Sequence, residues 1–318
     1  MKQMINQIDL QGYVFSFGGN GLFHNTVNNP ESKMNGIDYI NGTVNVATDE
    51  DGANVVPVRF NFVTEKYGKN GKENPSWSVL NDIEDGNKTW EAQGKEGAYK
   101  IRLTCAAGSN PFVGQDGKMV DRPGVEVSFA HPANNGFNEN LRNMFKFDIV
   151  IINYAVREVE DGDDYGVING YVFNNFRKEA IPVALVIRNQ SGMNYFEGLE
   201  PSTANPIATQ VWGRIVSTTI KRKQEVENAW GDPQVTYTTS TQREWLIDGS
   251  RSELYEFGDE SFITEDEFMT CLNNHEDVIA AAQKRYDDKQ NNKSAFSAPK
   301  QTEKKATKTS VYDFDFPF

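Results

Sequence analysis

Tyr39-Ile40-Asn41-Gly42-Thr43-Val44 and Val167-Ile168-Asn169-Gly170-Tyr171-Val172 are two versions of one pattern. Val56-Pro57-Val58 follows the first and Ile181-Pro182-Val183 follows the second. The Asn pair is offset by 128 residues and the Pro pair by 125. A nearly constant offset across two separate matches reads as an internal duplication.

Working outward, short runs rich in Val, Ile, Phe and Tyr surround each copy, bounded by Gly, Asn, Asp and Pro. The first half offers Ile8–Phe17, Tyr39–Ala47, Val55–Thr64, Tyr99–Ala106 and Val125–Ala130. The second offers Phe145–Val156, Val167–Phe173, Pro182–Arg188, Gln210–Thr219 and Val235–Ile247. Asp51-Gly52, Asn70-Gly71, Asp85-Gly86, Asp116-Gly117 and Asp161-Gly162 supply turn chemistry between them. Five short strands per half suit a small Greek-key barrel. The expected fold is therefore mainly β: two tandem OB-like barrels, residues 1–135 and 144–258, with one C-terminal amphipathic helix and a disordered tail.

The helix is expected over 259–290. Thr264-Glu265-Asp266-Glu267 is a capping box, and Phe268, Leu272, His275, Ile279 and Ala282 follow at helical spacing. Residues 291–310 carry five Lys and one Glu with almost no apolar content, which reads as a disordered linker. The last residues, 311–318, read Val-Tyr-Asp-Phe-Asp-Phe-Pro-Phe. Aromatic rings after a polar linker are out of place unless something binds them, so this tip reads as a recognition peptide.

Composition excludes several classes. No apolar run approaches the length that spans a bilayer, and the N-terminus lacks a signal-peptide core, so a cytoplasmic protein without membrane contact is expected, in the bacterial host cytoplasm if phage-encoded. Cys105 and Cys271 are read as reduced core residues, and the three His lack zinc-ligand spacing, so no metal and no cofactor is expected. There is no phosphate loop, no nucleophile elbow and no HExxH, hence no catalytic residues. Glu158, Glu160, Asp161, Asp163 and Asp164 read as a solvated loop. The net charge is −13, so any nucleic-acid groove has to be a local basic strip on an acidic body.

The tip carries a resemblance. Asp313-Phe314-Asp315-Phe316-Pro317-Phe318 resembles the acidic C-terminal tip of bacterial single-stranded DNA-binding proteins, which ends in an acidic run, an aliphatic residue and Pro-Phe. Here the acids alternate with Phe, and Phe316 stands where that family has an aliphatic residue. In the body, Arg102-Leu103-Thr104, Asn110-Pro111-Phe112-Val113, Asp116-Gly117-Lys118 and Val125-Glu126-Val127-Ser128-Phe129 resemble a stretch of phage-encoded members. The resemblance implies a single-stranded DNA-binding body and a tip that recruits replication, recombination and repair proteins. The competing reading is a β-rich structural or adaptor protein of a virus that binds partners through the tip and no DNA.

Binding a single strand without sequence preference needs cations along the backbone path and rings for bases. Candidates in the first half are Arg59, Lys66, Tyr67, Lys69, Lys72, Lys100 and Arg102, with Trp77 on a Gly-rich loop that could close as an arm. In the second half they are Arg188, Trp212, Arg214, Lys221, Arg222 and Lys223. Alternation assigns Phe60 and Phe62 to the core and Trp212 and Arg214 to one outer face. Oligomeric state, site size and the identity of the partners are left open by the sequence.

Overall fold

The computed structural model describes residues 3–67, 71–114, 116–159, 163–226 and 234–294. The first half contains β1 (Asn6–Thr26), β2 (Asp38–Ala47), β3 (Val55–Thr64), the small hairpin β4 (Lys66–Tyr67) and β5 (Lys72–Glu73), and helices α1 (Pro75–Ile83) and α2 (Trp90–Gly97). After these come β6 (Lys100–Ser109), a second hairpin β7 (Phe112–Val113) and β8 (Met119–Val120), and β9 (Pro123–Pro132). β1 pairs with β2, β2 with β3, β3 with β9, β9 with β6, and β6 returns to β1. The ring closes through a short parallel contact, Val58 with Val125 and Arg59 with Glu126.

The second half repeats this order. It holds β10 (Asn143–Arg157), β11 (Tyr165–Asn174), β12 (Glu179–Ile187), α3 (Gln190–Leu199), β13 (Ile207–Val226) and β14 (Gln234–Ser250), followed by α4 (Glu265–Ser294). The ring runs β10, β11, β12, β14, β13 and back to β10, closed by a parallel bridge from Val186 to Leu246. In both barrels the fifth strand returns between the third and fourth, and a helix separates the third from the fourth. This is the five-stranded Greek-key barrel of the OB-fold, present twice. The two barrels and the start of α4, as far as His275, belong to one compact unit; β7, β8 and the remainder of α4 fall in another.

Alternation explains most of the cores. On β6, Ile101, Leu103 and Cys105 are buried, while Lys100, Arg102 and Thr104 face out. On β3, Val56, Val58 and Phe60 point inward. Phe62 does not, contrary to the alternation. Between Ile40 and Gly42 the β2–β3 register slips, so Asn61 and Phe62 together oppose Asn41. Phe62 takes φ 50° at this bulge and emerges 41% exposed, and Val63 enters the core instead.

The glycines of the duplicated motif share a structural task. A Cβ on Gly42 would sit 2.4 Å from the Gly21 carbonyl oxygen, and one on Gly170 would sit 2.4 Å from that of Val150. Each is therefore a point where the barrel's first strand crosses too closely for any side chain. The prolines are not equivalent. Pro57 pairs with Asn45, three residues past Gly42, whereas Pro182 pairs with Tyr171, one past Gly170.

Three helices were not expected from the sequence. α1 begins at the N-cap Asn74, whose side chain accepts the Ser76 N–H, with Pro75 in the first helical turn. It buries Val79, Leu80 and Ile83 in the first barrel. Trp77, expected on a closing arm, lies instead on α1, half-buried against that core with its ring 5.2 Å from His24. α2 is capped by Thr89. α3 is capped by Asn189, which accepts the Gly192 N–H at 2.6 Å, and it buries Met193 and Phe196 in the second barrel.

The capping box of α4 is formed as its sequence suggests. Thr264 N–H donates to Glu267 Oε2 and Glu267 N–H donates to Thr264 Oγ1, both at 3.2 Å. Phe262, Ile263 and Cys271 are buried with Val150, Tyr171, Phe173 and Ala180, and Phe268 and Leu272 pack beside them. The chain thus lays its own C-terminal segment on the outside of the second barrel. His275 Nδ1 lies 3.0 Å from Glu179 Oε1, both buried, and Asn274 donates to the Lys178 carbonyl at 2.8 Å. Cys105 and Cys271 are both buried and neither is in a disulfide. No helix among the described residues is long and apolar enough to cross a membrane.

Candidate nucleic-acid interface

In the first barrel the outer face of β2 and β3 is open. Tyr39 and Phe62 stack at 4.5 Å with a 30° tilt, brought together by the bulge that turned Phe62 outward. Phe23, 43% exposed, stands opposite Asn41 on the neighbouring β1, and Asn25 stands opposite Tyr39. Asn25 Nδ2 donates to Asn41 Oδ1 at 3.3 Å. Rings for stacking and amides for hydrogen bonding therefore share one surface. Lys66 and Lys72, both exposed, follow on the β4–β5 hairpin at the end of β3.

Arg59 lies on the same strands but is engaged. Its guanidinium pairs with Glu126 across the parallel β3–β9 contact and donates to the Ser109 carbonyl at 3.4 Å. It holds the ring closed and brings little net charge to the surface. Lys69 lies outside the described residues, as does the side chain of Tyr67.

The same face of the second barrel is covered. Along β12 every residue except Ala184 is buried, and on β11 only Tyr165, Asn169 and Asn174 are not. The C-terminal segment covers part of this surface, and β6 and β9 of the first barrel lie against β12. Arg188, at the end of β12, is likewise engaged. It makes a two-pronged bond to Glu244 at 2.6–3.2 Å, and its guanidinium sits 5.0 Å from the Tyr165 ring.

Lys100, Arg102, Trp212 and Arg214 point outward from β6 and β13, on strands of a sheet that the two barrels share. Arg214 binds Asp248 through Nε at 2.8 Å and Nη2 at 3.1 Å, which raises its pKa further. Trp212 is 36% exposed. Lys221, Arg222 and Lys223 fall on β13 where it pairs with Thr239, Thr238 and Tyr237, and their side chains lie outside the described residues. The tip residues Asp313, Phe314, Asp315, Phe316, Pro317 and Phe318 lie outside them too, as do residues 160–162 of the acidic loop.

One charged cluster elsewhere is structural. Glu50 receives Lys95 and Arg142, each at 2.6 Å, and these two cations draw its carboxyl down to about 2. It ties the β2–β3 turn to α2 and to the segment leading into the second barrel. No group of three or more His, Cys, Asp or Glu among the described residues is arranged to hold a metal ion.

Sequence reasoning missed Tyr39, Phe62 and Phe23. Tyr39 was within a strand already recognised, but nothing in the alternation of Val55–Val63 marks the bulge that turns Phe62 out.

No curated protein matches the chain. Among solved structures, the wild-type single-stranded DNA binding protein from Thermus aquaticus is similar at 12% identity and a TM-score of 0.44, over 81% of this chain and 99% of that one. A deletion mutant of the same protein is similar at 14% identity and a TM-score of 0.47, over 82% of this chain and all of that one. The match to a family is broader, for residues 17–308 fit the one described as YorF, and the chain belongs to the YorF family.

Proposed function

We propose that the protein binds single-stranded DNA without sequence preference, coating strands exposed in replication and recombination and recruiting partner enzymes through its C-terminal tip. The observation that carries this reading is the open face of β2 and β3, with its stacked Tyr39–Phe62 pair flanked by Lys66 and Lys72. OB-type barrels bind oligonucleotides on this face. Base–ring stacking is worth about 1–3 kcal/mol per base and tolerates any base, because every base has a π-face. A duplex hides those faces, so the surface favours single strands. The lysines follow the phosphates, and each contact releases counterions.

The tip supplies the second half of the reading. An acidic-aromatic peptide fits a basic pocket with an apolar slot on a partner. Its charge also competes with DNA for the protein's own cations. Removal of Tyr312–Phe318 then leaves DNA affinity unchanged or raises it, and abolishes partner capture.

The test is fluorescence titration of the full chain with labelled oligothymidine and with a duplex, each at two salt concentrations. The expected result is salt-sensitive binding to the single strand and little to the duplex. Failure to bind either sinks the reading and leaves a structural or adaptor protein acting through the tip.

A further inference from the structure

The two barrels share more than a linker. β1 pairs with β10 from Asn6 to Leu10, so β13, β10, β1, β6 and β9 succeed one another as hydrogen-bonded neighbours across the junction. Side chains alternate between the two faces of such a sheet. Phe145, Phe147, Ile8, Leu10, Ile101 and Leu103 point to the cores. The opposite face is therefore a single outer surface built from both barrels.

The register assigns its rows. Trp212 stands beside Lys146, and Lys146 beside Gln7. In the next row Arg214, Met144, Asp9, Thr104 and Phe129 follow one another. In the third, Gln11, Arg102 and His131 do so, and Lys100 lies beyond, opposite Tyr13. At a strand spacing of about 4.8 Å, Trp212 and Phe129 stand about 20 Å apart at opposite ends of this surface. Trp212 is 36% exposed and Phe129 44%.

Its charge differs from that of the chain. Lys100, Arg102, Lys146 and Arg214 are four exposed cations. The carboxylates beside them in the register are Asp9, Asp248, Asp148, which is buried and bonded by the Ile5 N–H and Gln210, and Glu126, which is paired with Arg59. Asp248 is held by Arg214, and Asp9 accepts a 2.7 Å bond from Gln7. Among the described residues no carboxylate lies within ion-pair range of Lys100, Arg102 or Lys146. On a protein of net charge −13, three unopposed cations, Lys100, Arg102 and Lys146, on a surface with two exposed rings match a polyanion that also offers flat bases.

We infer that this shared outer face is a second contact for single-stranded DNA, joining the two barrels into one continuous binding path. The inference rests on the reading of the protein as a single-strand binder. It gives the second barrel a part in binding through Trp212 and Lys146, although that barrel's own β11–β12 face is covered. The backbone groups within the sheet are already paired, so contact is through side chains alone, and no sequence preference follows.

The experiment uses the full chain and two oligothymidines, one of about 8 nucleotides, within the reach of one OB module, and one of about 30. The variants are R102Q/K146Q on the shared face and Y39A/F62A on the open face of the first barrel. Both residues of the first pair are exposed, and circular dichroism verifies that the variant is folded; R102A/K146A is the substitute if it is not. The expected result is at least a tenfold loss of affinity of R102Q/K146Q for the long strand, with little change for the short one. Its salt slope falls by about 1.4, the value for two lost phosphate contacts on a single strand.

Wild-type affinity and slope in R102Q/K146Q, with binding lost in Y39A/F62A, overturn the inference alone. Loss in R102Q/K146Q with none in Y39A/F62A supports it and removes the open face of the first barrel from the binding path. No binding of either oligothymidine by the unmodified protein overturns both readings. Loss of affinity only for a synthetic Val311–Phe318 peptide assigns the face to a peptide and overturns the inference as well.

Discussion

The two barrels have one topology and opposite surfaces. In the first, the outer face of β2 and β3 carries Tyr39, Phe62 and Phe23 exposed or half-exposed. In the second, the corresponding face of β11 and β12 is almost wholly buried, under Phe262, Ile263, Cys271 and the start of α4 and against the first barrel. The protein holds two copies of one platform, and only one is left free on that face. The second became the base on which the C-terminal segment is seated. The face that a barrel leaves open is thus decided by what is laid over it, and strand order alone does not reveal it.

The comparison can be broken most directly at Tyr39 and Phe62. The Y39A/F62A variant is expected to lose about 2–6 kcal/mol of single-strand binding at one stack per ring, read by titration with oligothymidine. Unchanged affinity would mean that the open face is no more used than the covered one. A smaller effect sharpens the other side of the contrast. His275→Ala leaves the buried Glu179 carboxylate without its closest partner and is expected to cost about 1–3 kcal/mol in urea denaturation. The short-oligonucleotide affinity of the same variant should match the wild type, because the covered barrel face takes no part. A fall in that affinity would show that the seat of α4 and the proposed DNA surface are coupled.

The smallest expected effect concerns Glu50. Its carboxyl is lowered to about 2 by Lys95 and Arg142, below its ordinary value near 4.5. A depressed carboxylate contributes stability that is present above the unfolded-state value and lost as pH falls toward the folded one. The pair is half-exposed, so the contribution is under about 1 kcal/mol. The stability difference between wild type and Glu50→Gln, read from urea midpoints, should therefore shrink between pH 6 and pH 2.5, and a difference that grows would refute the assignment.

The strand framework was legible because alternation and turn residues are local signals. Ile101, Leu103 and Cys105 announce their inward face, and ten strand-like runs correspond to the ten strands of the two barrels. The Asn-Gly repeat was legible as well, although its glycines mark strand crossings. What was not legible depends on long-range partners. The bulge at Phe62 is set by the β2–β3 register, so a residue that reads as core became a surface ring. The burial of β11 and β12 depends on residues nearly a hundred positions downstream, such as His275 against Glu179. Arg59 and Arg188 read as free cations because Glu126 and Glu244 are distant in sequence. α1 did carry a local signal, Asn74 before Pro75, which the neighbouring glycines and lysines obscured.

The first residues of the chain are fastened far along it. Met4 exchanges hydrogen bonds with the Asn175 side chain, 171 residues away, and Ile5 does so with Asp148. Asn6 grips Ala107 through both of its amide atoms. On a ribosome, the amino-terminal strand must therefore wait until Asn175 has emerged before it can finish docking. Closing so long a loop is slow, and the exposed start of β1 is vulnerable to mispairing while it waits. The two barrels are consequently expected to mature together, with β1, although made before both, among the last strands to settle.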